Sequence, residues 1–343
     1  MGFFSLDEIL DQLAKNGGSD LHLSPDRVPY IRDSSGELSL LSGYLPLTSN
    51  QIKQILKQEV FASREFPALG KNRGDYDIDY STEFSHARVN IFQESRGISA
   101  SFRILRDRIP SMKELYFPSP LRSLVGKKHG LITFCGPTGS GKTTSIASIV
   151  EAINIDRHAH IITLEDPIEY RFSHGKSLVS QREVGSHCVS FLEGLRASLR
   201  EDPDVIVVGE MRDDATIRTA IAASETGHLV FTTLHAANVI EAVDRFLQYF
   251  PRGEHDAIRA QLSNSFEAII AQQLLPCRNG GKVAAFEVVL RNTATVNLIR
   301  TGQHHNLVNY FNKKDGMMTF DESKEGLFAK GLIEERYCHK IGG

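Results

Sequence analysis

The chain has 343 residues, 41% of them apolar and 24% charged, and carries a net charge of −3. That length exceeds one ordinary domain and suits two, each able to bury a core. The charge balance excludes the basic excess of a general nucleic-acid binder, no apolar run approaches a membrane span, and Asp7 and Glu8 near the start argue against a secretory leader.

The predicted elements begin with Ser5-Leu6-Asp7-Glu8, a capping-box pattern. It opens a short helix with Leu6, Ile9, Leu10 and Leu13 on one face, closed by Gly17-Gly18. Leu21 to Ile31 alternates loosely and reads as strand and turn. Thr48-Ser49-Asn50-Gln51 is a second capping box, before a helix that buries Ile52, Ile55 and Leu56. Asp75 to Leu105 is strand-rich, with Arg96-Gly97 in a turn before the last strand. Residues 1–106 are therefore expected to form an α+β domain without a catalytic motif. Residues 107–120, with Pro110, Pro118 and Pro120, read as a linker. From Leu121 to the end, strands and helices alternate, so 121–343 is expected to be an α/β domain with a parallel sheet. Cys135, Cys188, Cys277 and Cys338 are far apart and form no C-x-x-C pair, so they read as reduced thiols of a cytoplasmic protein.

Within the second region, Gly136-Pro137-Thr138-Gly139-Ser140-Gly141-Lys142-Thr143 fits G-x-x-x-x-G-K-[ST], with Thr144 following. The glycines let backbone N–H groups curl around phosphates, Lys142 would reach the β- and γ-phosphates, and the Thr143 hydroxyl would sit on Mg²⁺. The setting supports the motif. Leu131 to Cys135 is an apolar run of strand length, and Ile146, Ile149, Val150 and Ile153 then recur at helical spacing. A helix N-terminus behind the loop adds its positive dipole end. The substrate class is a nucleoside triphosphate.

Other segments add charge around that substrate. Val205 to Val208 is an apolar run followed by Gly209-Glu210, which places Glu210 at the carboxyl end of a buried strand. It suits contact with Mg²⁺ through water, a role as base, or both. Ile161 to Leu164 runs into Glu165-Asp166-Pro167-Ile168-Glu169, and clustered carboxylates are costly without a cation. Glu169 is the candidate to polarise the attacking water and to join Thr143 and Glu210 about the metal, with Glu165 and Asp166 in support. The plainer reading is a polar loop turned by Pro167. His228 and His235 bound an apolar run; with no further ligands at metal spacing, a γ-phosphate sensor suits them better than a metal site, and two satisfied structural histidines remain the alternative.

In this order the four segments resemble the secretion-superfamily traffic ATPases, whose signatures are a Walker A loop, an Asp box, a Walker B ending in Gly-Glu, and a His box. Ser180 to Gly185, Leu199 to Asp204, Gly209 to Asp213 and Glu225 to Val230 are similar to the type IV pilus retraction branch, the PilT and PilU group. So are Ser19 to Ser24, Asn297 to Arg300 and Gly316 to Asp321, so the likeness covers almost the whole chain. A longer N-terminal region and a four-cysteine zinc insertion, usual in extension and type II secretion ATPases, are missing from the sequence. Departures fall at His235-Ala236-Ala237, at Val184 to Cys188 and around Tyr310 to Lys314.

The resemblance implies a PAS-like N-terminal domain, a RecA-like ATPase domain, and a homohexameric ring that hydrolyses ATP with Mg²⁺ to drive pilus retraction. Arg88 in Ala87-Arg88-Val89-Asn90 and Arg103 in Phe102-Arg103 match positions at which family members bring arginines to the phosphates; Arg96 is a further candidate, and a solvated hairpin face is the plainer reading. Arg212, just past Glu210, reads as structural or coupling. An inner-membrane platform protein and a paralogous retraction ATPase are the implied partners, with the chain peripheral at the inner membrane. An extension or secretion ATPase would share this chemistry. A nucleic-acid motor on a RecA-like fold would need a basic channel, which Lys+Arg 39 against Asp+Glu 42 does not suggest.

Overall fold

Helix α1 (Leu6–Lys15) begins where Ser5 accepts a hydrogen bond from the Glu8 N–H, and it buries Leu6, Ile9, Leu10 and Leu13. Gly17 follows with φ +73°, a left-handed turn that stops the helix. The computed structural model describes residues 5–33, 36–62, 65–67, 75–105, 108–311 and 316–338. Asp107 of the expected linker, and Asn312, Lys313 and Lys314, lie outside these residues. The chain forms two compact units, Met1–Arg108 and Ile109–Gly343.

Among the described residues the first unit has one six-stranded sheet. Its strands are β1 (Asp20–Leu23), β2 (Tyr30–Arg32), β3 (Leu38–Leu40), β4 (Asp75–Ser81), β5 (His86–Glu94) and β6 (Gly97–Leu105). They lie in the order β3-β2-β1-β6-β5-β4, with antiparallel pairing throughout. Helix α2 (Ser49–Ile55) starts with both halves of its capping box made, Thr48 to Gln51 and back. Along β5, Ala87, Val89 and Ile91 point into the core shared with α1 and α2, while Arg88 and Asn90 alternate to the other face.

The second unit begins with residues expected to link. Instead Met112, Leu115 and Phe117, ahead of the short helix α3 (Ser119–Ser123), pack on the core together with Leu121 within it and Leu124 just after it. Proline spacing hid these apolar side chains, which can leave water only by docking.

The remaining elements are β7 (Gly130–Cys135), α4 (Lys142–Asp156), β8 (His160–Glu165), β9 (Leu178–Glu183), α5 (Phe191–Ser198), β10 (Val205–Val208), α6 (Asp214–Glu225), β11 (Leu229–Leu234), α7 (Val239–Gln248), α8 (His255–Ser265), β12 (Phe266–Pro276), β13 (Lys282–Leu290), α9 (Thr293–Arg300) and α10 (Phe320–Ala329). The strands order as β13-β12-β7-β11-β10-β8-β9. Every neighbouring pair is parallel except β12 with β13. Alternate residues feed two cores. Leu131, Ile162, Ile206 and Val230 pack with α6, α7 and α8, whereas Ile132, Ile161, Val205 and Phe231 pack with α3 and α4. Burial on both faces is why these strands read as unbroken apolar runs.

The sheet thus matches the expected α/β pattern, with additions. Edge strand β9 has only Leu178 and Val179 as apolar residues, too few to signal a strand. The β12–β13 hairpin was likewise not anticipated. Among the described residues no helix is long and apolar enough to cross a membrane. All four cysteines are free, with Cys135 and Cys338 buried.

Candidate active site

The parallel register decides the site. Cys135 pairs with Leu234, Thr232 with Val208, and Val208 with Leu164. The carboxyl ends of β7 and β11 are therefore level, with β8 and β10 ending one and two residues earlier on the same edge, and the chain leaves them as Gly136, His235, the Glu165–Glu169 loop and Gly209-Glu210. In open parallel sheets this edge is where ligands bind.

The phosphate loop runs from β7 into α4. Gly139 has φ +76°, with nothing within 4 Å of where a Cβ would lie. At Gly136 the approach is close: a Cβ would stand 2.5 Å from the Gln272 carbonyl oxygen on β12. Gln272 also donates from Nε2 to the Ser140 carbonyl at 2.7 Å, so β12 braces the loop from beside it. Lys142 is buried, and its Nζ donates to the Gly136 and Pro137 carbonyls at 2.8 and 3.0 Å. Burial lowers its pKa from the usual lysine value, opposed in part by the charges of Glu210 and Glu169. The structure therefore brings Lys142, Glu169 and Glu210 within electrostatic reach of one another.

Thr143 and Thr144 begin the first turn of α4. Thr143 lines a cavity of about 40 Å³ with Thr163, Glu165, Tyr170, Gly209 and Thr233. The Thr144 hydroxyl meets the Tyr170 hydroxyl at 2.9 Å. Pro137, Thr138, Ser140 and Gly141 complete the loop, with Ser140 N–H donating to the Pro137 carbonyl at 3.2 Å.

Glu210 is held from two sides. Arg212 donates to its Oε2 from Nε at 2.8 Å and from the guanidinium terminus at 2.7 Å, and His235 Nε2 lies 3.3 Å from its Oε1. Both of these guanidinium nitrogens chelate the one oxygen, which leaves Oε1 to face His235. Thr233 anchors the same turn by donating to the Gly209 carbonyl at 2.5 Å.

Two expectations need correction. The carboxylates after β8 do not need a cation to share the loop. Glu165 turns inward, accepting from the Thr163 hydroxyl at 2.6 Å, from Gln181 Nε2 at 3.2 Å and from the Glu169 N–H, while Asp166 and Glu169 are exposed. Burial pushes the Glu165 carboxyl above the usual range. His228 is no phosphate sensor: it precedes β11, at the end opposite His235 and so roughly 20 Å away at the rise of a strand. Its Nδ1 lies 2.9 Å from the Ala223 carbonyl, a structural contact.

Arg88 and Arg103 stand on the first unit as cross-strand partners on β5 and β6. Arg88 lies 3.6 Å from Asp77, and Arg103 lies 2.9 Å from the buried Asp20. Arg96 is exposed in the turn between these strands. Among the residues at the site, Gln272 and Tyr170 carry no signal of their own, and Gln181 is marked only by the family likeness of Ser180 to Gly185. Each matters through what a distant strand or loop presents to it.

A phosphate loop on a parallel sheet, with acid and histidine at the neighbouring strand ends, defines a P-loop nucleotide hydrolase. Residues 95–317 match the Type II/IV secretion system protein family, and the chain belongs to that family. It is 38% identical to the type IV pilus retraction ATPase PilT of Pseudomonas aeruginosa, over 96% of this chain and 95% of that one. It is 37% identical to the uncharacterized protein YggR of Escherichia coli, over 96% of this chain and all of that one. A crystal structure of the pilus retraction motor PilT with bound ADP superposes with a TM-score of 0.87 at 37% identity, covering 99% of this chain and 97% of the other. The chain is an ATPase of the PilT-like, pilus-retraction kind.

Proposed function

We propose that the chain hydrolyses ATP with Mg²⁺ as one subunit of a homohexamer, and that this turnover powers type IV pilus retraction, the pilin disassembly behind twitching motility. The observation that carries the chemistry is that the carboxyl ends of β7, β10 and β11 lie within two residues of one another on one sheet edge, where the loop to Lys142, Glu210 and His235 follow.

In this reading the 136–144 loop binds the phosphates through backbone N–H groups, and the Lys142 ammonium turns from loop carbonyls to phosphate oxygens. Glu169 orients the attacking water and takes its proton. Glu210, gripped by Arg212, holds His235 through Nε2 and leaves Nδ1 to meet the γ-phosphate. Arg88 and Arg103 are the guanidinium donors that offset charge on the transferring oxygens in the ring.

The site suits Mg²⁺ carried in with nucleotide. Among the described residues no group of three or more His, Cys, Asp and Glu side chains forms a cage. The hydroxyl of Thr143 and the carboxylates of Glu169 and Glu210 supply the few oxygen donors that this ion takes beside phosphates and water. When bound, it would neutralise charge between the β- and γ-phosphates.

The units are read as a PAS-like domain over 1–106 and a RecA-like domain over 121–343, with the hinge of the expected 107–120 linker confined to its start, ahead of Met112, Leu115 and Phe117, which dock on the second core. The ring is placed in the cytoplasm, peripheral at the inner membrane, against a pilus platform protein and beside a paralogous retraction ATPase. Clean deletion in the host tests the reading. Hyperpiliated cells that cannot twitch are expected; bald cells would make the protein an extension ATPase.

A further inference from the structure

The loop carrying Glu169 is fixed at several backbone positions by side chains of the two flanking strands. Ile168 N–H donates to Glu183 Oε2 at 3.1 Å, and Glu169 N–H donates to the Glu165 carboxylate. Gln181 holds two more positions by itself. Its Nε2 donates to the Tyr170 carbonyl at 2.8 Å, and its Oε1 accepts from Phe172 N–H at 2.9 Å. The second hydrogen on Nε2 points to Glu165 Oε1 at 3.2 Å.

This use of the amide is selective. One end must donate and the other must accept, which a carboxylate or an apolar side chain of similar length cannot do. Gln181 and Glu183 are two residues apart on β9, so both project from the same face of that strand. The far anchor of the loop is Tyr170, whose hydroxyl meets Thr144 on the first turn of α4. Glu169 thus sits between contacts to the edge strand and a contact to the phosphate-loop helix.

We propose that Gln181 is a positioning residue for hydrolysis, fixing the Tyr170–Phe172 backbone so that the Glu169 carboxylate reaches the attacking water. The inference rests on the role given to Glu169 above. Gln181 touches neither nucleotide nor water in this scheme. Gln181 makes no contact with residues 136–144, and only the Thr144–Tyr170 hydroxyl pair links them to the segment it fixes, so its loss is expected to act chiefly on the chemical step, where a displacement of about 1 Å costs up to roughly 10²-fold in rate.

The test uses the full chain. Gln181→Met keeps length and removes both hydrogen bonds; Gln181→Glu keeps the acceptor for Phe172 and removes the donor to Tyr170. For both, kcat for ATP is expected to fall roughly ten-fold. The Kd for ADP, measured by calorimetry, is expected to stay within about two-fold, because the backbone N–H groups and Lys142 that bind phosphate have no contact with Gln181. In a Glu169→Gln background, Gln181→Met is expected to cause no further loss, since a positioning residue has nothing left to position. Unchanged kcat in both single variants overturns the proposal. So does the same fold loss with and without Glu169, which marks a general structural role. If Glu169→Gln alone keeps full turnover, the role of Glu169 fails first, and the inference falls with it.

Discussion

Replacing Gly136 with alanine tests how tightly β12 confines the phosphate loop. An added Cβ would lie 2.5 Å from the Gln272 carbonyl oxygen and 2.5 Å from the Ser140 hydroxyl oxygen. The hydroxyl can rotate away. The carbonyl cannot, because β12 is hydrogen-bonded between β7 and β13. Gly136 also holds φ at +156°, which side chains disfavour. Backbone strain of about 1–3 kcal/mol and overpacking of about 1–3 kcal/mol give a central cost of about 4 kcal/mol. For a unit of this size that is a fall in melting temperature of roughly 8–16 °C. Gly139→Ala is the control. Its φ of +76° is strained too, but nothing lies within 4 Å. It is expected to cost about 1 kcal/mol, or roughly 2–4 °C. Calorimetric melting of both variants, with an ADP titration of each, reads the difference. Gly136→Ala is expected to lose ADP binding as its loop is pushed off β12. Equal melting shifts for the two variants would refute the reasoning, since strain without collision would then account for both.

Glu210→Gln removes the charge that faces Arg212 and His235; ADP binding is expected to survive while phosphate release slows by about 10²-fold or more, and wild-type turnover would remove Glu210 from the chemistry. Thr143→Ala takes away a hydroxyl assigned to Mg²⁺, so the concentration of Mg²⁺ giving half-maximal turnover should rise about ten-fold; an unchanged value would place the metal elsewhere. Asp20 links acidity to the stability of the first unit. Burial pushes its carboxyl up, but hydrogen bonds from Ser19 and Arg103, with the Arg103 charge, outweigh this and leave it below the usual aspartate range. A depressed carboxylate contributes stability above its unfolded pKa and loses it as pH falls through the folded one. Melting of the wild type should therefore drop below about pH 4 more steeply than that of Asp20→Asn. Parallel pH curves would show that the pair contributes nothing, as exposed partners such as Arg103 often do.

The Thr48 capping box, the Ser5 cap (half of the box expected there), the α1 and α2 faces and the alternation along β5 were legible because each depends on residues a few positions apart. The same holds for the phosphate loop: its glycines and Lys142 act within one turn of backbone, so their spacing carries the substrate class. Glu210 and Glu169 were legible as carboxylates following apolar runs. Edge strand β9 was not, because a strand covered on few sides needs few apolar residues. Nor was the braced loop, since Gln272 lies on a strand far along the chain from Gly136. The sequence by itself determined the nucleotide, the two-unit size and the α/β pattern of the second unit. Only the tertiary structure decided which chemical groups work together. The parallel register gathers four strand ends on one edge of the sheet, which separates His235 from His228 and joins it to Glu210. The inward turn of Glu165 lets three short carboxylate-bearing steps share a loop by giving the buried one hydrogen-bond donors. Those are contacts between residues distant in sequence, and no local pattern encodes them.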